Sequence, residues 1–142
     1  MFSKKAGFTL IELMLVIVII GTLAALAVPQ LAGRAEQSRI VAARADIESN
    51  LSVALDLFET DNGFYPTTEQ GLSALISSPT SPPAPPNWRG PYLKKKAIPT
   101  DPWGSFYNYA CPGTHNSESY DLSSYGRDGV EGNDDDVTNW GD

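Results

Sequence analysis

Gly7-Phe8-Thr9-Leu10-Ile11-Glu12-Leu13-Met14-Leu15-Val16-Ile17-Val18-Ile19-Ile20-Gly21-Thr22-Leu23-Ala24-Ala25-Leu26-Ala27-Val28 is the stretch that decides how this chain is read. From Phe8 onward it is long enough for a helix to cross the apolar core of a bilayer, which takes roughly 20 residues. It carries one charge, Glu12, near its start. A carboxylate costs about 2.5–3.5 kcal/mol at mid-membrane on insertion scales, and less near an interface. A chain that keeps such a group has a use for it, and the use expected is pairing with a positive charge. Lys4 and Lys5 precede the run and no Lys or Arg follows before Arg34. That asymmetry predicts a cytoplasmic N-terminal flank, with the rest of the chain emerging on the far side.

Two readings of this segment compete. Ala25-Leu26-Ala27 matches the small-x-small pattern of a secretory signal peptide, whose removal would release a soluble module beginning at Val28. Against this, Glu12 interrupts what should be an uncharged stretch, and Pro29 lies just past the supposed cut. On these grounds alone, signal peptide and retained anchor both stand.

The 142 residues leave room for one ordinary domain beside the apolar segment. Net charge is −7, and residues 121–142 hold seven acids against one Arg. The only basic cluster is Lys94-Lys95-Lys96, so nucleic acid, which needs a basic stripe, is excluded as a partner. One Cys and one His rule out an internal disulfide, a cysteine zinc cage and a multi-histidine metal site. Cys111 and His115 stand four apart in a Pro-Gly loop, with no third group to orient them. No phosphate loop, nucleophile elbow or zinc helix motif occurs, and no enzyme activity is expected.

Past Pro29, where a kink is expected rather than a stop, apolar residues recur at helical spacing. Ile40, Ala43, Ile47, Leu51, Ala54 and Phe58 form one face, with Glu36, Arg39, Asp46, Glu48 and Glu59 available to the polar side. The spacing predicts one long helix from Thr9 to about Thr60, stopped at Asp61-Asn62-Gly63. Thr67-x-x-Gln70 reads as a capping box opening a short helix whose inner face is Leu72, Leu75 and Ile76. Residues 77–87 are a proline-rich connector. Phe106-Tyr107-Asn108-Tyr109 and residues 119–124 suit short strands, so an α+β domain is expected, with two or three antiparallel strands laid on the helix.

The acidic end, residues 124–140, has its own logic. Gly126, Gly129 and Gly132 recur every three residues, which suits a tightly wound loop. Val137 and Trp140 return the chain to an apolar surface after the acids. Carboxylates so close together repel unless a cation gathers them. Hard oxygen donors without sulfur point to calcium rather than zinc or copper, although the spacing is not that of an EF-hand. A solvated acidic segment and a calcium loop both satisfy the pattern.

Lys4-Lys5-Ala6-Gly7-Phe8-Thr9-Leu10-Ile11-Glu12 resembles the prepilin leader and cleavage site of type IV pilins and type II secretion pseudopilins. Phe64-Tyr65-Pro66-Thr67-Thr68-Glu69-Gln70-Gly71-Leu72, Gly90-Pro91-Tyr92-Leu93, Asp101-Pro102-Trp103-Gly104, Tyr120-Asp121-Leu122 and the Gly-Asn-Asp-Asp-Asp close narrow this. They are similar to the major pseudopilins of type II secretion systems, almost end to end. Residues 79–88 and 111–119 carry the least of it. The resemblance implies cleavage between Gly7 and Phe8 by a prepilin peptidase, N-methylation of Phe8, and an assembly role for Glu12. It further implies calcium held by the side chains of Asp128, Asp135 and Asp136 and the carbonyls of Tyr125 and Val130, with Asp134 an alternative one position away.

The expected architecture is therefore pilin-like and α+β. A long N-terminal helix, half membrane and half amphipathic, packs on a small antiparallel sheet with a calcium-binding C-terminal loop. Residues 1–7 form the leader, 8–28 the membrane and filament-core helix, and 29–142 the periplasmic domain. The resemblance implies a structural subunit of a homo-oligomeric helical filament, anchored once in the inner membrane with its N-terminus cytoplasmic. Its implied partners are minor pseudopilins, the inner-membrane secretion platform and the prepilin peptidase. The rival readings are a type IV pilin for adhesion or motility, whose typical C-terminal disulfide one Cys cannot make, and the soluble periplasmic calcium module.

Overall fold

The computed structural model describes residues 7–141, with the side chains of residues 28–32 left aside. The expected leader lysines, Lys4 and Lys5, and the side chain of Pro29 lie outside the described residues. The chain divides into two compact units, residues 1–37 and 38–142.

Thr9 starts the first helix. Its Oγ1 accepts the Glu12 N–H at 3.3 Å, and its carbonyl accepts the Leu13 N–H at 3.2 Å. That is an N-cap, and it satisfies donors the first turn would leave orphaned. Helix α1 runs Leu10–Ala45 and continues through position 29. Its segment Leu10–Ala27 is apolar, long enough to cross a membrane, and wholly exposed within its own unit.

In the second unit the expected single helix is interrupted. A π-helical turn, Asp46–Leu51, precedes helix α2, Ser52–Asn62. The Ser52 N–H reaches back five residues to the Ile47 carbonyl, while its hydroxyl bonds the Glu48 carbonyl. Hydrophobic spacing is the same in a π-turn as in an α-turn to within a residue, so periodicity does not reveal it. The apolar face survives the interruption: Ala43, Ile47, Leu51, Ala54 and Phe58 are buried, Leu55 joins them, and Ile40 at the head of the face is half-buried. The helix stops where its sequence says it should. Gly63 adopts φ +82° and returns its N–H to the Glu59 carbonyl at 2.7 Å, a left-handed cap that glycine alone enters without strain. Asn62 joins in, donating to the Phe58 carbonyl and accepting the Asn87 N–H.

The capping box forms as predicted. The Thr67 N–H donates to Gln70 Oε1 at 3.1 Å, and the Gln70 N–H to Thr67 Oγ1 at 3.3 Å. The box closes a turn, 67–71, rather than capping the helix itself; the 3-10 helix Leu72–Leu75 follows from Gly71 without a side-chain cap and buries Leu72, Ala74 and Leu75. The proline-rich connector is stitched down at its middle and just past its end. Gln70 Nε2 donates to the Ser81 and Pro83 carbonyls at 2.9 and 3.0 Å, and Trp88 Nε1 to the Ala74 carbonyl at 2.9 Å.

The sheet has three antiparallel strands in the order β1-β2-β3: Asn108–Ala110, Asp121–Ser124 and Val137–Thr138. β1 starts two residues later than its sequence suggests. Phe106 is drawn instead into an isolated bridge with Thr100, closing a turn around Asp101. β2 also starts late, because the Gly113 and Ser119 N–H groups tie Ser119 into the preceding loop. Leu122 and Val137 from the sheet share one core with Ile47, Leu51, Leu55, Phe58 and Leu75. Phe58 lies edge-on to Phe64 and Tyr92, at 5.9 and 5.6 Å between centroids.

Phe58→Ala should cost about 3–5 kcal/mol by emptying this centre. Chemical denaturation of the full-length protein in detergent measures it, and a loss under about 1 kcal/mol would contradict this account of the core.

Candidate functional site

The scissile bond expected between Gly7 and Phe8 lies on exposed, non-helical chain just ahead of the Thr9 cap. Phe8 is 83% exposed. Glu12 sits in the first turn of α1, where the helix dipole favours a carboxylate by about 0.3–1 kcal/mol. Thr9-x-x-Glu12 has the sequence of a capping box, and the bond it forms is the one from the Glu12 N–H to Thr9 Oγ1. Phe8 stands outside α1, so helical geometry does not set the distance between its nitrogen and the Glu12 carboxylate.

The acidic residues occupy a hairpin loop, 125–136, between β2 and β3, closed at its base by the Ser124–Val137 pair. Gly126, Gly129 and Gly132 all have left-handed φ, at +61°, +70° and +92°, which accounts for their spacing of three. Gly126 is also a point of close approach: a Cβ there would collide with the Asp135 carbonyl oxygen.

The five expected ligand residues fall in this loop and are cross-linked by hydrogen bonds. Asp128 Oδ1 accepts the Val130 N–H at 2.8 Å. Asp135 Oδ2 accepts the N–H groups of Arg127 and Asp128 at 2.8 and 3.2 Å. Asp136 Oδ2 accepts the Gly132 N–H at 2.7 Å, while its Oδ1 is buried without a hydrogen-bond partner. Asp135 and Asp136 turn partly inward and Asp134 faces solvent. The carbonyl of Tyr125 accepts the Gly129 N–H at 3.1 Å.

Asn133, which sequence reasoning overlooked, is the hub. Its Nδ2 donates to Asp128 Oδ2 at 2.8 Å and to the Val130 carbonyl at 2.9 Å, and its Oδ1 accepts the Asp135 N–H. Among the described residues no group of three carboxylate, imidazole or thiol side chains is gathered to hold a metal. The donor chemistry nevertheless fits a hard cation: all oxygen, with one buried carboxylate oxygen unpartnered, and a second carboxylate oxygen and a backbone carbonyl both meeting the Asn133 amide. Burial raises the pKa of the Tyr125 hydroxyl, and the carboxylates of Glu131 and Asp136 raise it further, a measure of negative potential on this loop.

A second polar knot braces the sheet beside the loop. Asp121 accepts the N–H groups of His115 and Asn116 at 2.8 and 2.9 Å, and His115 Nδ1 lies 3.0 Å from its Oδ2. Burial alone would raise the Asp121 pKa; the hydrogen bonds from His115 and Asn116 outweigh it and hold the carboxyl below its ordinary value. The imidazole stacks on Trp140 at 4.2 Å. His115 is thus committed to Asp121 and Trp140, while burial raises the pKa of the Cys111 thiol and makes it a poor nucleophile.

An exposed apolar N-terminal helix, a helix-packed antiparallel sheet and a methylation-type leader define a pilin-like subunit. Residues 2–28 match the prokaryotic N-terminal methylation motif, and residues 30–140 match the family described as type II secretion system (T2SS), protein G. The type II secretion system core protein G of Pseudomonas aeruginosa is 49% identical, over 96% of both chains. That of Escherichia coli K12 is also 49% identical, over 98% of this chain and 93% of its own. The crystal structure of the major pseudopilin from the type 2 secretion system of enterohaemorrhagic Escherichia coli aligns with a TM-score of 0.67 at 40% identity. It covers 78% of this chain and 89% of its own. The chain belongs to the type II secretion system protein G family, the major pseudopilins. The family is structural and non-enzymatic, and its methylation motif implies peptidase processing.

Because the Asp121 carboxyl is more acidic folded than unfolded, it stabilises the domain above the ordinary Asp value of about 3.9. That contribution is lost as pH falls through the folded value. Asp121→Asn should therefore flatten the fall in melting temperature below about pH 4. An acid-side slope identical to wild type would remove Asp121 from the account.

Proposed function

We propose that this subunit polymerises into a helical periplasmic filament that drives folded proteins across the outer membrane. The observation that carries the proposal is the fully exposed apolar segment Leu10–Ala27 with Glu12 at its head. A surface of that length has no partner within its own unit, and lipid or neighbouring copies would cover it. The segment holds the precursor in the inner membrane, N-terminus cytoplasmic, and later becomes filament core. Residues 29–142 form the periplasmic domain, and residues 1–7 the leader. Cleavage at Gly7–Phe8 by the prepilin peptidase frees an amine that is then methylated. In an apolar bundle each Glu12 meets the terminal amine of an adjacent subunit, since an unpaired buried charge is heavily penalised. Such a staggered contact is heterologous and does not close, so it builds a filament. Minor pseudopilins and the inner-membrane platform are the further partners. One Cys does not supply the C-terminal disulfide typical of adhesive type IV pilins, which favours the secretion reading over that alternative.

The acidic loop is proposed to bind calcium through Asp128, Asp135, Asp136 and the carbonyls of Tyr125 and Val130. Support comes from the unpartnered Asp136 oxygen and the Asn133 amide on Asp128 and Val130. A cation would neutralise the repelling acids and order a loop with little core of its own, so its binding energy becomes folding energy.

The membrane-extracted wild-type protein should have the intact mass of a chain beginning at N-methylated Phe8. Glu12→Ala should be cut at the same bond, its mass differing from wild type only by the substitution, and should still insert in the membrane, yet yield few filaments by electron microscopy; a mass beginning near Val28, or normal filament yield, would defeat the proposal. At a calcium concentration about 100 times Kd the wild-type domain should gain about 2.7 kcal/mol. Asp128→Ala should lose most of that gain in calcium-dependent thermal unfolding, and an undiminished gain would remove Asp128 from the site.

A further inference from the structure

We infer that Ser124, backed by Asp101, is a positioning residue for the cation loop; the inference rests on the proposal that this loop binds calcium. Both residues are buried, Asp101 at 3% exposure and Ser124 at 0%. The two carboxylate oxygens of Asp101 do different work. Oδ1 accepts the Trp103 and Ser105 N–H groups at 3.1 and 2.8 Å and closes the turn around it. Oδ2 accepts the Ser124 hydroxyl at 2.6 Å, across 23 residues of sequence. With its proton committed there, Ser124 Oγ is left as an acceptor, and it takes the Gly126 N–H at 3.3 Å.

That last bond orients a proposed ligand. The Gly126 N–H and the Tyr125 carbonyl belong to one planar peptide, and in a trans peptide they point in opposite directions. Holding the N–H on Ser124 therefore turns the Tyr125 oxygen the other way, where it meets the Gly129 N–H at 3.1 Å. The same bond seats Gly126 where its α-carbon faces Asp135 too closely for any side chain. One hydroxyl thus sets a carbonyl ligand and the approach of a carboxylate ligand, and Asp101 sets the hydroxyl. The turn needs only Oδ1, so the second half of the Asp101 carboxylate is free to serve the loop.

Calcium titration of the processed full-length protein in detergent, by calorimetry, tests this with two variants. Ser124→Ala removes the relay and leaves the Asp101 turn bonds. Leu72→Ala destabilises the core at the 3-10 helix and leaves the relay. Ser124→Ala should bind calcium at least tenfold more weakly than wild type, and Leu72→Ala should keep wild-type affinity. Wild-type affinity in Ser124→Ala would overturn the inference. So would equal weakening in both variants, since affinity would then merely follow stability. Wild-type protein that binds no calcium would defeat the calcium reading itself, and the relay's role with it, before any variant is compared.

Discussion

Burial of one helical stripe holds the second unit together. Ile47, Leu51, Leu55 and Phe58 lose all exposure, each contributing about 1.5–3 kcal/mol of transfer free energy. The sheet that helps cover them is short: three strands of three, four and two residues. Strands so brief form no stable sheet by themselves. They persist because Leu122 and Val137 enter the same core and because side chains supply what the ladder lacks. Asn139 acts almost as a third residue of β3. Its Oδ1 accepts the Leu122 N–H, its own N–H donates to the Leu122 carbonyl, and its Nδ2 reaches the Tyr120 carbonyl. Tyr107 ties the sheet side back to the π-turn through its hydroxyl on Asp46 at 3.0 Å, and burial, then Asp46, raises the Tyr107 pKa.

What could be read from sequence was whatever is local. The helix stop at Gly63, the Thr67–Gln70 box and the apolar face from Ala43 to Phe58 are encoded within a few residues, and all three occur. The departures come from contacts that sequence distance conceals. Strand β1 begins late because Asp101 captures the N–H groups that come after it. The π-turn escapes notice because one extra residue leaves the buried positions buried. β3 is two residues long, too short for alternation to signal. Even so, Val137 and Trp140 were recognisable as a return to an apolar surface, and Val137 is buried.

The candidate sites divide along the same line. Gly7, Phe8 and Glu12 lie within six residues of one another, and their meaning lies in a pattern of charge within an apolar run. The loop acids were legible as a group, but the organisers of the loop were not. Asn133, Ser124 and Asp101 are ordinary polar residues by composition, and only folding brings Asp101 to Ser124. Sequence reasoning finds clustered charges more readily than the scattered polar residues that aim them.

The base of the loop explains why its interior can be so poor in apolar contacts. Its ends are fixed by the Ser124–Val137 pair, by Asn139 on Leu122, and by the Ser124 hydroxyl on Asp101. Closing a flexible segment costs entropy that grows only slowly with length, and here the strands have already met that cost. The remaining problem is electrostatic: Asp128, Glu131, Asp134, Asp135 and Asp136 share one short loop with a single Arg. Backbone N–H groups and the Asn133 amide take up part of that charge, and one oxygen of Asp136 is left unanswered. A polar network with one unsatisfied buried acceptor is less stable than a complete one. The loop is thus held at its base by packing and left incomplete at its centre by charge, an arrangement in which a hard cation would supply what the protein's own donors do not.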